Sequence, residues 1–372
     1  MRAAVAKTAA CLLLCGWLGA VALPLGWVFL NSLRSSREFV ANPFGVPWFL
    51  TGSPPDGRLA REELDAVLAR RDAQGADLIQ HLRAQFYRLD TDGDGCITEQ
   101  EAYAAGWIEA EWRRALRLAD RAGSRRAAWE QVKANYAKAW VESRFSSFFA
   151  NSIIVTGVSL AGILAFGALA SYVLARFTFP GARALFLFFI SGMMIPAQLV
   201  LVPLFFQFTW MSQAGTRFLQ PFGLELQMHD SLSGLIVIYI SLSLPFTILV
   251  LTGFFKTLPG ELREAGIMDG CGEYRVFWHI MLPLARPGVI TAAIFNFIGL
   301  WNEYLFALVS VNAADKKTLP LGLASVSMQS QYKTDFGLLF AALVITIAPT
   351  LLVYILLQGR LTRGITVGAL KG

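Results

Sequence analysis

The stretch ELREAGIMDGCGEYRVFWHIMLPLARP, residues 261–287, is a polar, glycine-broken island between two long apolar runs. Within it Leu262, Ala265, Ile267 and Met268 alternate with charged residues, Gly270 and Gly272 interrupt the pattern, and Val276, Phe277, Ile280 and Met281 recur at helical spacing. The pattern predicts two short helices joined by a glycine turn, lying across the end of whatever the apolar runs build. Such a loop either packs on its own bundle as a plain connector or offers an exposed face to a partner.

The runs on either side say what the bundle is. Of 372 residues 55% are hydrophobic and 16% charged, which places the chain among membrane proteins. Six stretches reach the roughly 20 residues needed to cross a bilayer: about 9–30, 150–175, 184–208, 232–255, 288–311 and 337–357. The first follows Arg2 and Lys7 and resembles a signal peptide, but its apolar run exceeds an h-region of about 7 to 15 residues, so a retained helix is expected. Arg2, Lys7, Arg176, Arg183, Lys256, Arg263, Arg275, Arg286, Arg360, Arg363 and Lys371 all fall on one side, which the positive-inside rule makes cytoplasmic, with both termini inside. Lys316, Lys317 and Lys333 run mildly against that rule.

Between Asn31 and Phe149 there are 17 Lys plus Arg and 17 Asp plus Glu, against 15 and 9 in the rest of the chain. So many acidic residues in so short a block read as a soluble insert between membrane segments. The spans themselves hold few ionisable groups, which disfavours an ion-coupled carrier. Glu303, in WNEY, reads most simply as an interfacial residue beside Trp301 and Tyr304. Pro196, Pro203, Pro245 and Pro349 mark kinks within spans. The four cysteines, Cys11, Cys15, Cys96 and Cys271, form neither a disulfide framework nor a zinc site. The chain lacks G-x-x-x-x-G-K-[ST], so it is expected to bind no nucleotide of its own; no nucleic-acid partner is expected either.

The 261–287 loop strongly resembles the signature of binding-protein-dependent ABC importer permeases: EAA, three residues, G, nine residues, I-x-L-P. Glu264, Ala265, Gly270, Ile280, Leu282 and Pro283 occupy those places, Asp269 precedes the glycine, and Gly266 replaces the second alanine. That replacement should loosen the first helix by about 1 kcal/mol relative to Ala. NYAKAW from Asn135, NSIIV from Asn151, YVLARFTFPG from Tyr172, MMIPAQLVLVPLF from Met193, GLWNEYLFAL from Gly299, TLPLGLAS from Thr318 and RGITVGALKG from Arg363 look like the carbohydrate importer branch, similar to the smaller membrane subunit of the maltose transporter. The resemblance covers the first 50 or so residues and nearly everything after about Asn135. It implies an all-α membrane protein of six transmembrane helices and no enzyme activity, in a bacterial inner membrane. It also implies that residues 256–287 form the element that docks on a cytosolic ATPase, with Glu264, Ala265, Asp269, Gly270, Ile280, Leu282 and Pro283 carrying the coupling. The implied partners are a second permease, two ATPase copies and an extracytoplasmic solute-binding protein.

The insert, about residues 52–134, departs from that family and divides the chain into 1–51, 52–134 and 135–372. DTDGDGCITEQE, residues 90–101, fits the calcium-loop template D-x-[DN]-x-[DN]-G-x5-E. Asp90, Asp92, Asp94 and Glu101 would supply carboxylates, Cys96 its backbone carbonyl, and Thr98 its hydroxyl directly or through water. An acidic, metal-free turn is the plainer alternative. Leu78, Leu82, Phe86 and Leu89 before the loop, and Ala105, Ile108, Trp112 and Leu116 after it, share helical faces that suit an EF-hand-like module. GSPPDGRLAREE from Gly52 and DRAGSRRAAWEQ from Asp120 read as degenerate, metal-free hands, the second equally well as the family's own segment before a span. Two functions compete: an importer permease carrying a calcium-stabilised decoration, and a membrane-anchored calcium sensor or adapter that has lost transport. The intact coupling loop favours the first, because an anchor needs one span and no ATPase dock.

Overall fold

The computed structural model describes residues 20, 22–45, 47, 59–60, 64–65, 76–91, 96–107, 111–112, 115, 129–219, 228–333 and 335–369. The chain divides into two compact units, Met1–Ser143 with Val326–Ile345 and Arg144–Ser325 with Thr346–Gly372.

In the first unit residues 22–32 are helical and lead into α1 (Ser36–Ala41). Arg34 is buried, and its guanidinium is held locally: Nη1 donates to Asn31 Oδ1 at 2.8 Å and Nη2 to the Asn42 carbonyl at 2.8 Å. Asn135 closes the same corner by donating to the carbonyls of Ser32 and Arg34 at 3.1 and 2.9 Å.

The insert contributes β1 (Leu59–Ala60), α2 (Ala76–Leu89), β2 (Cys96–Ile97) and α3 (Glu99–Ala104). Helix α2 forms because Leu82, Phe86 and Leu89 repeat on one face, with Leu78 at its edge, while Asp77 opens and Arg88 closes the helix in line with its dipole. With Leu64, Ile97, Ala102, Trp107, Trp112 and Ala115 they make the insert's own core. Ala105 does not join it as the sequence spacing suggested: α3 stops at Ala104, Gly106 turns the chain at φ +90°, and Trp107 takes the core position instead. Ile108 and Leu116 lie outside the described residues.

The second unit begins with α4 (Phe145–Arg176), α5 (Ala182–Gly192), α6 (Ala197–Leu219) and α7 (Leu232–Thr257). The loop that follows folds as α8 (Glu261–Met268), α9 (Glu273–Val276), a π turn (Phe277–Met281) and α10 (Leu282–Leu284). Then come α11 (Arg286–Trp301), α12 (Leu305–Ser310), α13 (Leu319–Lys333) and α14 (Phe336–Ala369), the portion Val326–Ile345 of the last two being counted with the first unit. Helix α7 lies along α4, and α11 leans on both.

Among the described residues three helices are long and apolar enough to span a bilayer, α4, α7 and Phe336–Gly359 of α14, or five if each of two bent pairs counts as one. The first expected span lies outside the described residues up to position 19. The expected span 184–208 is not one straight rod: α5 and α6 meet at 99°, with Pro196 in the break, where its ring and missing N–H bar helix continuation. The expected span 288–311 also ends early, at Trp301, and resumes as α12 after a break. Pro203, Pro245 and Pro349 sit inside helices as the sequence indicated.

Outward residues of the bundle such as Val158, Phe166 and Leu249 are apolar and exposed, which suits lipid. Two inward polar groups find partners across helices, as a bilayer interior favours. Asn296 donates to Thr247 Oγ1 at 2.9 Å, and Ser171 to the Ile248 carbonyl at 3.3 Å.

Candidate functional site

The 261–287 loop is one folded element. Helix α8 ends because the chain reverses at Gly270, whose φ of +81° is a left-handed value that glycine adopts without a Cβ penalty. The reversal is closed by Cys271 N donating to the Gly266 carbonyl at 3.0 Å and Gly270 N to the Ile267 carbonyl at 2.9 Å. It brings α9 and the π turn back against α8. The two halves touch at Gly266, where an added Cβ would come within 2.7 Å of Ile280 Cδ1 and 3.1 Å of Val276 Cγ2. Gly266 is therefore a point of close packing as well as a helix-propensity cost, since a larger residue there would need Ile280 and Val276 to shift.

An ion pair ties the halves together. Arg263 of α8 pairs with Glu273 of α9 through both carboxylate oxygens, one of these bonds being Nε to Oε2 at 3.2 Å, and its guanidinium lies 5.0 Å over the Phe177 ring. Hydrogen bonding to Glu273 holds the Arg263 guanidinium above its already high ordinary pKa, so it carries its charge at every relevant pH. Glu273 has a further partner: Tyr172 Oη, from α4, donates to Oε2 at 3.1 Å. The Tyr172 ring packs between Phe177, Phe255 and Phe277, with centroids 5.1–5.9 Å away. Arg176 then caps the end of α7, donating to the carbonyls of Phe255 and Leu258 at 2.6 Å each. The loop is fastened to the ends of two long helices.

The residues marked by the sequence split into two groups. Glu264, Ala265, Asp269 and Gly270 lie exposed on α8 and its turn, beside Ile267, Met268 (86% exposed) and Tyr274 (72% exposed). Ile280 and Leu282 instead pack against the core of Tyr172, Leu251, Phe255, Val276 and Phe277, while Pro283 is exposed. One group makes a surface and the other holds it in place. Tyr172, Arg263 and Glu273 escaped the sequence reading. The available signal was an opposite-charge pair flanking the glycine turn.

The break before α12 is organised by Glu303. Its Oε2 accepts from Tyr239 Oη at 2.7 Å and from the Ala307 amide at 3.2 Å, and its Oε1 from the Phe306 amide at 2.8 Å. Glu303 is thus an acceptor at the start of α12, a role its reading as an interfacial residue did not include.

Elsewhere in this unit Asp230 Oδ1 accepts from the amides of Asn312 and Ala313 at 2.8 and 2.9 Å. Lys316 donates to the Asp230 carbonyl at 2.6 Å. The Ala313 amide first, then the Asn312 amide and the Lys316 ammonium, hold the Asp230 carboxyl below its ordinary range.

In the insert, the two central acids Asp92 and Asp94 lie outside the described residues, and among the described residues no group of three or more His, Cys, Asp or Glu side chains could hold a metal. Asp90 follows the last turn of α2, its amide donating to the Phe86 carbonyl at 2.8 Å. Thr98 caps α3, and the Glu101 carboxylate reaches back into the loop, accepting from the Thr91 amide at 2.8 Å and the Thr98 amide at 2.8 Å. Cys96 and Ile97 pair antiparallel with Ala60 and Leu59. Leu59 is the eighth residue of the degenerate loop from Gly52, and Ile97 the eighth of the loop from Asp90, so equivalent positions of the two twelve-residue segments face each other. The segment from Asp120 is largely outside the described residues.

Residues 153–367 match the family described as "Binding-protein-dependent transport system inner membrane component". The chain is 40% identical over 237 residues, 64% of its own length and 74% of the relative's, to the diacetylchitobiose uptake system permease protein NgcG of Streptomyces coelicolor. It is 32% identical over 240 residues, 64% of this chain and 81% of the relative, to the trehalose transport system permease protein SugB of Mycobacterium tuberculosis. It is 31% identical over 237 residues, 64% and 80% respectively, to the probable starch degradation products transport system permease protein AmyC of Thermoanaerobacterium thermosulfurigenes.

Proposed function

The chain belongs to the family of binding-protein-dependent transport system inner membrane components, and from that premise we propose that it is one permease subunit of an ATP-driven importer for an oligosaccharide or related small polar solute. The uptake systems named for its relatives, for diacetylchitobiose, trehalose and starch products, support that solute class. The observation that carries the mechanism is the exposed face of Glu264, Asp269, Gly270, Met268 and Tyr274 on a loop clamped to α4 and α7. In this reading the face docks in a cleft of a cytosolic ATPase. Two ATPase copies closing on ATP draw two such loops together, one from this chain and one from a second permease, and the bundle switches from inward to outward access. This chain performs no bond chemistry; hydrolysis lies in the separate ATPase, and a solute-binding protein delivers the cargo from outside. Both termini and the loop are then cytoplasmic and the insert extracytoplasmic. The adapter reading gains no support from the fold or from the relatives.

The test is co-purification and uptake in the reconstituted complex. Glu264→Lys and Gly270→Trp are expected to remove the ATPase from the complex and abolish uptake while the protein still inserts. Normal uptake with both changes together would rule out the loop as the coupling element.

We further propose that the loop 90–101 binds one calcium ion. Support comes from the full template match and from the pairing of Leu59 with Ile97, which gives the intact loop a degenerate partner at the equivalent position. Glu101 stands at the closing position of the template, its carboxylate accepting from the Thr91 and Thr98 amides. Asp90, Asp92 and Asp94 would add carboxylates, the Cys96 carbonyl and Thr98 completing the shell. On the extracytoplasmic side such an ion serves as a staple for a small module with a thin core.

A further inference from the structure

A carboxylate, that of Glu273, joins both halves of the loop that carries the proposed docking face to a spanning helix. Glu273 receives Arg263 from the first loop helix and Tyr172 from α4. Arg263 rests on Phe177, the residue that ends α4, and Tyr172 is wedged among Phe177, Phe255 and Phe277. Phe255 lies near the end of α7, whose last carbonyls are held by Arg176 of α4. These contacts make a closed circuit: α8 to α9 through the ion pair, α9 to α4 through the tyrosine, α4 to α7 through the arginine, and α7 back to the π turn through Phe255 and Phe277, whose centroids are 6.4 Å apart.

We infer that Glu273 is a positioning residue that locks both halves of the loop to the end of α4, so that loop and spanning helix move as one rigid body when the loop is pulled. The inference rests on the coupling reading above. Physically, a docking face on a soft hinge would absorb the motion of its partner, whereas one carried by a charge-assisted, closed network transmits it. The buried contact of Ile280 and Leu282 behind the face supplies the stiffness in one direction, and the Arg263–Glu273–Tyr172 bridge supplies it in the other.

The experiment uses the complete complex in lipid nanodiscs, with native cysteines replaced by serine and spin labels on Leu262→Cys of α8, outside the proposed docking face, and Val158→Cys of α4, both exposed. Distances are measured without nucleotide and after trapping with ATP and vanadate, so no knowledge of the solute is needed. The expected result is one narrow distance in both states for the otherwise unmutated protein. Glu273→Gln and Tyr172→Phe should lose that single distance on trapping, giving a broad and shifted distribution with the ATPase still bound. The exchange Arg263→Glu with Glu273→Arg should restore the narrow distance at least in part, a rescue that loss of folding would not give. If Glu273→Gln fails to fold, Tyr172→Phe decides alone, since it removes one hydroxyl from a ring that stays packed. A distance that changes on trapping in the unmutated protein, or one that stays narrow in both single variants, overturns the proposal. Loss of the ATPase in the Glu273→Gln complex also overturns it, because the residue would then belong to the docking contact. Failure of the underlying coupling reading shows separately, as an unmutated complex that never retains an ATPase.

Discussion

Tyr239 and Glu303 share a 2.7 Å hydrogen bond, the phenol donating to a carboxylate that also receives the first amides of α12. Removing the carboxylate orphans two amides and a buried hydroxyl at a helix break. Glu303→Ala is therefore expected to destabilise the detergent-solubilised complex by about 1–3 kcal/mol. Glu303→Gln, which keeps one acceptor oxygen, and Tyr239→Phe, which leaves the amides satisfied, should each cost less. Thermal melts of the three variants check the order, and an unchanged melt for Glu303→Ala would show that the break needs no acceptor.

Gly266→Ala sets two effects against each other. Helix propensity favours alanine by about 1 kcal/mol, while overpacking against a neighbouring side chain costs about 1–3 kcal/mol. The nearest obstacle is the Cδ1 of Ile280, 2.7 Å from the added carbon. The expected outcome is a net loss of ATPase retention and uptake for Gly266→Ala, largely recovered by adding Ile280→Val, which removes that methyl. Recovery absent from the double variant would locate the strain elsewhere.

The same residue shows where sequence reading stops. The two short helices, the glycine turn and the inward Val276, Phe277 and Ile280 follow from helical spacing and glycine's backbone freedom, both local properties. The role of Gly266 depends on what α9 and the π turn bring against it, which no local rule contains. The Arg263–Glu273 pair required knowing how tightly the turn closes. The breaks at Pro196 and after Trp301 were hidden for another reason: a run of apolar residues looks alike whether the helix through it is straight or bent. Half of the acidic ligand set, by contrast, was legible only in the sequence, since Asp92 and Asp94 fall outside the described residues.

The Asp230 knot has a pH signature. Its folded carboxyl lies below the usual value of about 3.9, held there by the Ala313 and Asn312 amides and Lys316. A depressed carboxylate contributes stability that is full above the unfolded pKa and is lost as pH falls through the folded one. Stability should fall in that acidic window, and Asp230→Asn should flatten the fall while remaining less stable at neutral pH. Asparagine is the suitable replacement because position 230 has φ +50°. Acid melts of the two proteins that coincide would remove Asp230 from the account.

Calcium should raise the melting temperature of the purified full-length chain and bind with a stoichiometry of one ion. Binding stabilises by RT ln(1 + [L]/Kd), about 1.4 kcal/mol at a tenfold excess over Kd. Asp90→Ala with Glu101→Gln should remove the calorimetric signal and the thermal shift together, leaving uptake by the complex mostly intact. Uptake that follows external calcium steeply, and loses that dependence in the double variant, would make the insert a gate.

The π turn at Phe277–Met281 fixes more than local geometry. A π turn holds one residue more than an α turn, and each residue of an α-helix advances the side-chain direction by roughly 100°. The chain between Gly270 and Pro283 therefore acts as a phase setter. Deleting one residue within the π turn would shift the side chains that follow it by roughly 100° about the helix relative to those before it. A spacing that looks like a motif in sequence is, in space, the angle at which two shafts are keyed.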